Sequence, residues 1–206
     1  MMKLMLRTLT IIGAFFASGC ISLLPETAPP KPRYHIEAVS EASLQGDALD
    51  WSLVIEDPRT TRVYDSVRIA VTPAPGKVEY FAGAQWADRA PRLFQTALVQ
   101  TFEDSGRILA VGDRGAVPVG DIVLQTDIRA MELNVRNGAR DVKVTVYARI
   151  ADGKGGVQAA RRFDASAPAG SEDPDAIVAA FNDAFQSLIV DLAAWTFDEG
   201  ARAAAD

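Results

Sequence analysis

The sequence has very few of the side chains that carry most metal and nucleophilic chemistry. Its 206 residues include one cysteine, Cys20, and one histidine, His35. Zinc sites take several cysteine or histidine ligands, and hydrolytic triads use a histidine as base, so neither kind of site is expected. A single cysteine also excludes an internal disulfide framework. We interpret His35, beside a proline-rich stretch, as structural or incidental, and we expect no metal and no cofactor.

Positive charge is also in short supply. The chain has 21 lysine and arginine residues against 27 aspartate and glutamate residues, a formal net charge of −6. Proteins bind nucleic acid largely by neutralising phosphates with clustered lysine and arginine side chains. A net acidic chain does not suit that role, so we expect no nucleic-acid partner.

The N-terminus has the layout of a secretory signal peptide. Lys3 and Arg7 make a basic start, residues 9–16 form an apolar core, and three small residues lead directly into Cys20. This Ala-Ser-Gly-Cys stretch resembles the bacterial lipobox, although leucine is preferred where Ala17 stands. The resemblance implies cleavage before Cys20 and attachment of acyl chains, palmitate among them, to that residue. Several chains on one cysteine would hold the protein stably at a membrane.

The stretch after Cys20 contains four prolines within a few residues of one another. Such a segment can neither continue a helix nor form the core of a sheet, so it is interpreted as a tether. The predicted organisation is therefore a signal peptide, the lipidated cysteine with its tether, one domain and a disordered tail, at 1–19, 20–33, 34–200 and 201–206. The predicted domain is long enough to bury a sizeable core.

Apolar periodicity predicts the secondary structure of that domain. Alternating residues predict strands at 34–39, 49–58, 67–71, 78–86, 107–111, 121–135, 141–150 and 157–167. A spacing of 3.6 predicts helices at 88–106 and 173–197, and the expected N-caps are Asp88 and Asp173. The apolar parity changes within the longest strand, which predicts a β-bulge near Ala130.

The order of these elements predicts the fold class. Two helices and a sheet that are each apolar on one side must bury those sides against one another. Short turns between the last three strands make their neighbours antiparallel. We therefore predict an α+β, two-layer sandwich, with a mostly antiparallel sheet and both helices packed on one face.

One aromatic cluster could form either core or a recognition surface. It contains Tyr80, Phe81, Gly83 and Trp86, immediately before the first predicted helix. Burial is the default for aromatic residues, yet tyrosine and tryptophan have a polar edge and are favoured at interfaces. These four residues are our candidate partner-binding residues.

The cluster lies in a stretch, 65–108, that resembles the ABC-type transport auxiliary lipoproteins. The matching features are a strand ending in Ile-Ala-Val, a Tyr-aromatic-Ala-Gly-x-x-Trp turn, a proline, and a helix ending in Ser-Gly-Arg. The lipobox, Tyr34 after the tether and a final helix ending near Trp195 match as well. Phe81 stands where a second tyrosine is common. The resemblance thus extends over nearly the whole mature chain.

This resemblance implies a function in lipid transport across the bacterial envelope. The expected partners are an MCE-family protein, which crosses the periplasm, and an inner-membrane ABC permease and ATPase. The lipoprotein would dock the MCE protein from the periplasmic face of the outer membrane. Ile21 fits that location, because an aspartate at this position commonly keeps enterobacterial lipoproteins at the inner membrane. Some members form rings, which makes a homo-oligomer a further expectation.

Two other functions remain open at this stage. A carrier that encloses an acyl chain itself would need a roomy apolar cavity between the sheet and the helices. An envelope hydrolase would need a pair of catalytic carboxylates, and acids such as Glu56, Asp57 and Asp127 are present. No spacing singles out such a pair, so we expect no catalytic residues and no enzymatic activity.

Overall fold

The structure is a computed structural model that describes residues 30–40 and 44–205. From Lys31 onward the chain forms one unit with its own core. The predicted signal peptide, Cys20 and most of the tether lie outside the described residues.

Nine strands and two helices make up the described part of the chain. The strands are β1 (Arg33–Tyr34), β2 (Leu49–Ile55), β3 (Arg59–Thr60), β4 (Arg68–Ala74), β5 (Lys77–Trp86), β6 (Ile108–Gly112), β7 (Ile122–Arg136), β8 (Ala139–Asp152) and β9 (Val157–Pro168). The helices are α1 (Ala90–Asp104) and α2 (Pro174–Ala205). Seven predicted strands and both helices are confirmed in position. The strand predicted at 34–39 is shorter than expected, and the two-residue β3 was not predicted.

The longest strand, β7, organises the sheet. One edge of β7 pairs with β8 in an antiparallel ladder, and β9 follows β8 in the same way. The other edge pairs in succession with β2, β3 and β4, at Ile122–Leu124, Asp127–Ile128 and Glu132–Asn134. Beyond those strands lie β6 next to β2, and β5 followed by β1 next to β4.

The α+β class is confirmed, and the sheet, predicted to be mostly antiparallel, is mixed. The long β7–β8–β9 ladders are antiparallel, whereas five of the eight strand pairings are parallel. Parallel neighbours need crossover connections, and here long stretches of chain separate the parallel partners. Alternation reports which face of a strand is apolar. It does not report the direction of the neighbouring strand.

The predicted bulge in β7 is confirmed. Its register against β8 shifts between Ile128, which lies opposite Val146, and Ala130, which lies opposite Thr145. The extra residue reverses the alternation, so that Ile128 and Met131 are both buried on the core side. A single apolar face therefore extends along the whole strand.

The two helix starts differ in how they are capped. At α2, the Asp173 carboxylate accepts a hydrogen bond from the Asp175 N–H at 2.9 Å, and Pro174 is the first helical residue, as predicted. At α1, the residue before the helix is Arg89, which makes no side-chain cap. The expected cap by Asp88 is wrong, because its carboxylate instead accepts the N–H of Arg89 at 2.6 Å.

Aromatic side chains fill the space between the helices and the sheet. Helix α2 packs against β8 and β9, and α1 packs against β6 and β2. The ring pairs, with centroids 5.2 to 5.6 Å apart, are Trp86–Phe181, Phe94–Phe185, Phe102–Phe197 and Phe163–Trp195. Two of these pairs join α1 to α2. One contiguous core thus links both helices and the sheet.

Helix α2 is longer than the sequence predicted. It continues beyond Phe197 to Ala205, through residues that the sequence analysis assigned to the tail. Among the described residues, α2 is the one helix that is long and apolar enough to span a bilayer, judged by length and composition alone. More than half of its most apolar stretch is buried inside the fold, as in the core helix of a globular domain.

Candidate partner-binding site

The predicted partner-binding residues lie on β5, where its pairing is interrupted. Arg68 of β4 lies opposite Gln85, whereas Ala70 lies opposite Tyr80. The four β5 residues between them, Phe81 to Ala84, therefore have no register partner on β4. On the opposite edge, β1 pairs only with Gln85 and Trp86. The cluster thus occupies an irregular segment at the border of the sheet.

The structure divides the four predicted residues into two groups. Trp86 is only 2% exposed, and its ring meets Phe181 edge-on at 5.2 Å. Tyr80, Phe81 and Gly83 are each half-buried. Trp86 is therefore a core residue, and the other three form a surface that we call the aromatic edge.

Tyr80 and Phe81 are held in place by different neighbours. The Arg68 guanidinium carbon lies 3.7 Å from the centroid of the Tyr80 ring, a cation–π contact. A Cβ atom at Gly83 would come within 2.9 Å of the Phe81 ring and 3.2 Å of Pro174. Glycine at this position therefore lets the Phe81 ring lie over the β5 backbone, beside the start of α2.

Tyr34 connects the end of the tether to the same region. Its hydroxyl donates a hydrogen bond of 2.5 Å to Oδ1 of Asp175, in the first turn of α2. This hydrogen bond, with burial and the nearby charges of Asp175 and Asp173, raises the pKa of Tyr34 to about 12. No local sequence pattern indicates this contact, because 141 positions separate the two partners.

This contact predicts a pH dependence. Because the folded state favours the neutral phenol, the contact stabilises the fold fully below the ordinary tyrosine pKa of about 10. That stabilisation is lost as the pH rises from there towards 12. In an ultraviolet titration, Tyr34→Phe should remove one phenol that ionises near pH 12, and Tyr80→Phe should leave that phase in place. If Tyr34→Phe instead removes a phenol that ionises near pH 10, the assignment of the raised pKa to Tyr34 is wrong.

Tyr64 makes a comparable contact on another part of the sheet. Burial raises the pKa of Tyr64, and so does the hydrogen bond of 2.7 Å that its hydroxyl donates to Oε2 of Glu132. A second late-titrating phenol is therefore expected in the unmodified protein. Subtracting the titration curve of Tyr34→Phe from that of the unmodified protein isolates the ionisation of Tyr34.

Two of the three acids considered for hydrolysis are paired with arginines. Glu56 forms an ion pair with Arg114, and Oδ2 of Asp127 lies 3.1 Å from Nη1 of Arg149. Asp57 lines an open polar cleft beside the start of α1. Among the described residues, no group of three or more histidine, cysteine or carboxylate side chains could hold a metal ion.

Comparison with known proteins identifies the family. Residues 34–193 match the family of ABC-type transport auxiliary lipoprotein components. The chain belongs to this family. The resemblance to this family that the sequence shows is thereby confirmed.

Solved structures share the fold of this auxiliary lipoprotein. A Xanthomonas campestris protein of the DUF330 family has 28% sequence identity and a TM-score of 0.74, over 83% of this chain and 96% of that one. A hypothetical protein from Chlamydia trachomatis shares the fold, with a TM-score of 0.51 and 9% identity, over 75% of this chain and 98% of that one.

A relative of known sequence is longer than this auxiliary lipoprotein. An uncharacterized protein of Bradyrhizobium diazoefficiens is 30% identical over 166 residues, which cover 81% of this chain and 45% of the relative. The chain thus spans about half the length of that relative.

Proposed function

We propose that this protein docks an MCE-family protein as the auxiliary component of an ABC/MCE-type transport system for phospholipid or another apolar substrate. It would act from the periplasmic face of the outer membrane, held there by acyl chains on Cys20. The family match over residues 34–193 carries this proposal, because it supports a role in ABC-type transport. The lipobox-like sequence that ends at Cys20 supports the anchoring.

A docking function requires a surface, and the aromatic edge supplies one. Tyr80 and Phe81 are large, half-buried rings beside an interrupted ladder. Such side chains offer much contact area at a small cost in conformational entropy, which suits them to binding hot spots. In our proposal Tyr80 and Phe81 contact the partner, Gly83 allows the Phe81 ring its position, and Trp86 supports them from the core.

The proposal treats the protein as non-catalytic and does not require it to carry lipid inside the domain. The interior is occupied by a contiguous cluster of aromatic and aliphatic side chains, with the four ring pairs in contact. Four clefts formed by the described residues are open to the surface, and charged or polar side chains are prominent in the lining of each. Neither observation favours a carrier that would enclose an acyl chain.

Co-purification tests the docking function. The lipidated protein, extracted from native membranes in mild detergent, should bring down an MCE-family protein of the same bacterium. The double variant Tyr80→Ser/Phe81→Ser should lower that recovery by at least tenfold, as expected when hot-spot rings are lost. The exposed Val157→Ser on β9 is the matched control and should change recovery little. Reproducible absence of the MCE protein from the unmodified sample would contradict the proposal.

A further inference from the structure

The hairpin formed by β7 and β8 ends in a two-residue turn, Asn137 and Gly138. The strands pair up to Arg136 and Ala139, so the two residues between them take no part in the ladder. Both have a positive φ, 51° at Asn137 and 81° at Gly138, and both are exposed. Such turns are of type I′, and Asn-Gly is strongly preferred in them. The requirements of the turn therefore place an asparagine directly before a glycine at the surface.

An asparagine in this position is open to a reaction with its own backbone. The nitrogen of the following residue attacks the side-chain carbonyl carbon, which releases ammonia and closes a five-membered imide. Water then opens the ring at either of its two carbonyl groups and leaves aspartate or isoaspartate. Glycine favours the attack, because it has no Cβ to crowd the approach of its nitrogen. Water is the only further reactant, so this change needs no enzyme and no cofactor.

The three asparagines of the chain differ in how open they are to this reaction. Asn134 lies in β7 with a strand on either side, and the β-branched Val135 follows it. Asn182 lies in α2, where its Oδ1 accepts the Glu37 N–H at 3.3 Å and the helix holds the following backbone N–H. Asn137 lies at the free end of a hairpin, where a ladder opens most readily. Among residues 30–40 and 44–205, its side chain has no hydrogen-bond partner.

We propose that Asn137 is a site of spontaneous covalent modification, at which the side-chain amide is converted to a mixture of aspartate and isoaspartate. The nitrogen of Gly138 gives its proton to solvent and forms a bond to Cγ of Asn137. The bond from Cγ to the side-chain nitrogen breaks, and that nitrogen takes a proton from solvent and leaves as ammonia. Water then opens the imide, and its oxygen stays in the new carboxylate.

Either product changes the end of the hairpin. The new carboxylate lies beside Arg140, whose Nη1 already donates to the carbonyl of Gly138 at 3.4 Å. Isoaspartate also adds one methylene group to the main chain, which should open the terminal pair of Arg136 and Ala139. The turn borders an open cleft that Arg136 and Asp141 help to line. The polar lining of this cleft should therefore change as the protein ages.

Ageing the lipidated protein in detergent at mildly alkaline pH tests the site. Peptide mapping by mass spectrometry should find NH2 replaced by OH at Asn137, at least tenfold faster than at Asn134 or Asn182. Two products of equal mass should separate by chromatography, because only attack by the backbone forms isoaspartate. If aspartate alone forms, or if Asn134 or Asn182 reacts first, the inference is wrong. An unchanged Asn137, after an incubation that converts it in the urea-unfolded chain, would show that the fold protects the turn and would also overturn the inference.

A variant without the reactive amide provides a second test. Asn137→Gly should keep the turn, because Gly-Gly also favours type I′, and it should show no modification at the hairpin end. Hydrogen exchange of amides 135–140 should become faster in the unmodified protein as isoaspartate forms, and it should stay constant in Asn137→Gly. Asn134→Ser is the matched control and should age like the unmodified protein. Equal acceleration of exchange in Asn137→Gly would contradict the assignment.

Discussion

Replacing Cys20 by alanine should abolish incorporation of labelled palmitate and prevent stable attachment of the mature domain to the membrane. The thiol of Cys20 is the only thiol in the sequence that could carry the lipid, because the protein has no second cysteine. The bacterial lipoprotein pathway attaches several chains, which together hold a protein stably where one chain would not. The expected loss of label is therefore essentially complete.

The interpretation of this variant requires a further step. Without cleavage, the apolar segment at 9–16 would remain on the protein and could itself retain it at the membrane. The alanine variant should therefore also be exported with an ordinary signal peptide in place of residues 1–19, and the domain should then fractionate as periplasmic. Ser22→Ala, two residues beyond the cysteine, is the matched control and should label and sediment normally. Palmitate incorporation by the Cys20 variant would refute the lipoprotein assignment.

Replacing Trp86 by alanine should destabilise the domain by about 3–5 kcal/mol, the usual cost of removing a buried tryptophan or phenylalanine ring. Trp86 is 2% exposed and meets the fully buried Phe181 edge-on at 5.2 Å. The cost combines the lost transfer of the indole ring with the cavity that remains. Urea unfolding of the domain that begins at residue 30 measures it.

The aromatic edge should respond differently to the same truncation. Tyr80→Ala removes a half-buried ring and its contact with Arg68, which at a surface is worth about 0.5–1 kcal/mol. A double-mutant cycle between Trp86 and Phe181 should give a coupling of about 0.5–1.5 kcal/mol, as found for edge-on ring pairs. Equal losses of stability for Trp86→Ala and Tyr80→Ala would contradict the division of the cluster into core and surface.

Much of the domain was predictable because its elements follow local periodicities. The helices have apolar residues at a spacing of 3.6, and the long strands alternate. Even the bulge near Ala130 was visible, because an extra residue leaves a change of parity in the sequence. The cap at Asp173 was predictable for the same reason, since it depends only on the residues that follow it.

Predictions failed where a local pattern competed with tertiary contacts. Asp88 is a good capping residue by type, yet its carboxylate accepts the N–H of Arg89, and α1 begins at Ala90 without a side-chain cap. The 34–39 strand was predicted from its alternating residues, but its pairing stops after Tyr34 on the β5 border. Neither outcome is encoded by alternation or residue type alone.

The sequence by itself determined the family, the single cysteine available for lipidation, and the positions of most strands and both helices. Motifs and periodicities are local, so they can be read without knowing what packs against them. The tertiary structure decided the rest. It made the sheet mixed, placed Trp86 in the core and Tyr80 at the border, and joined Tyr34 to Asp175. Strand direction, burial and such pairings depend on residues far apart in the chain, which meet only when the backbone has folded.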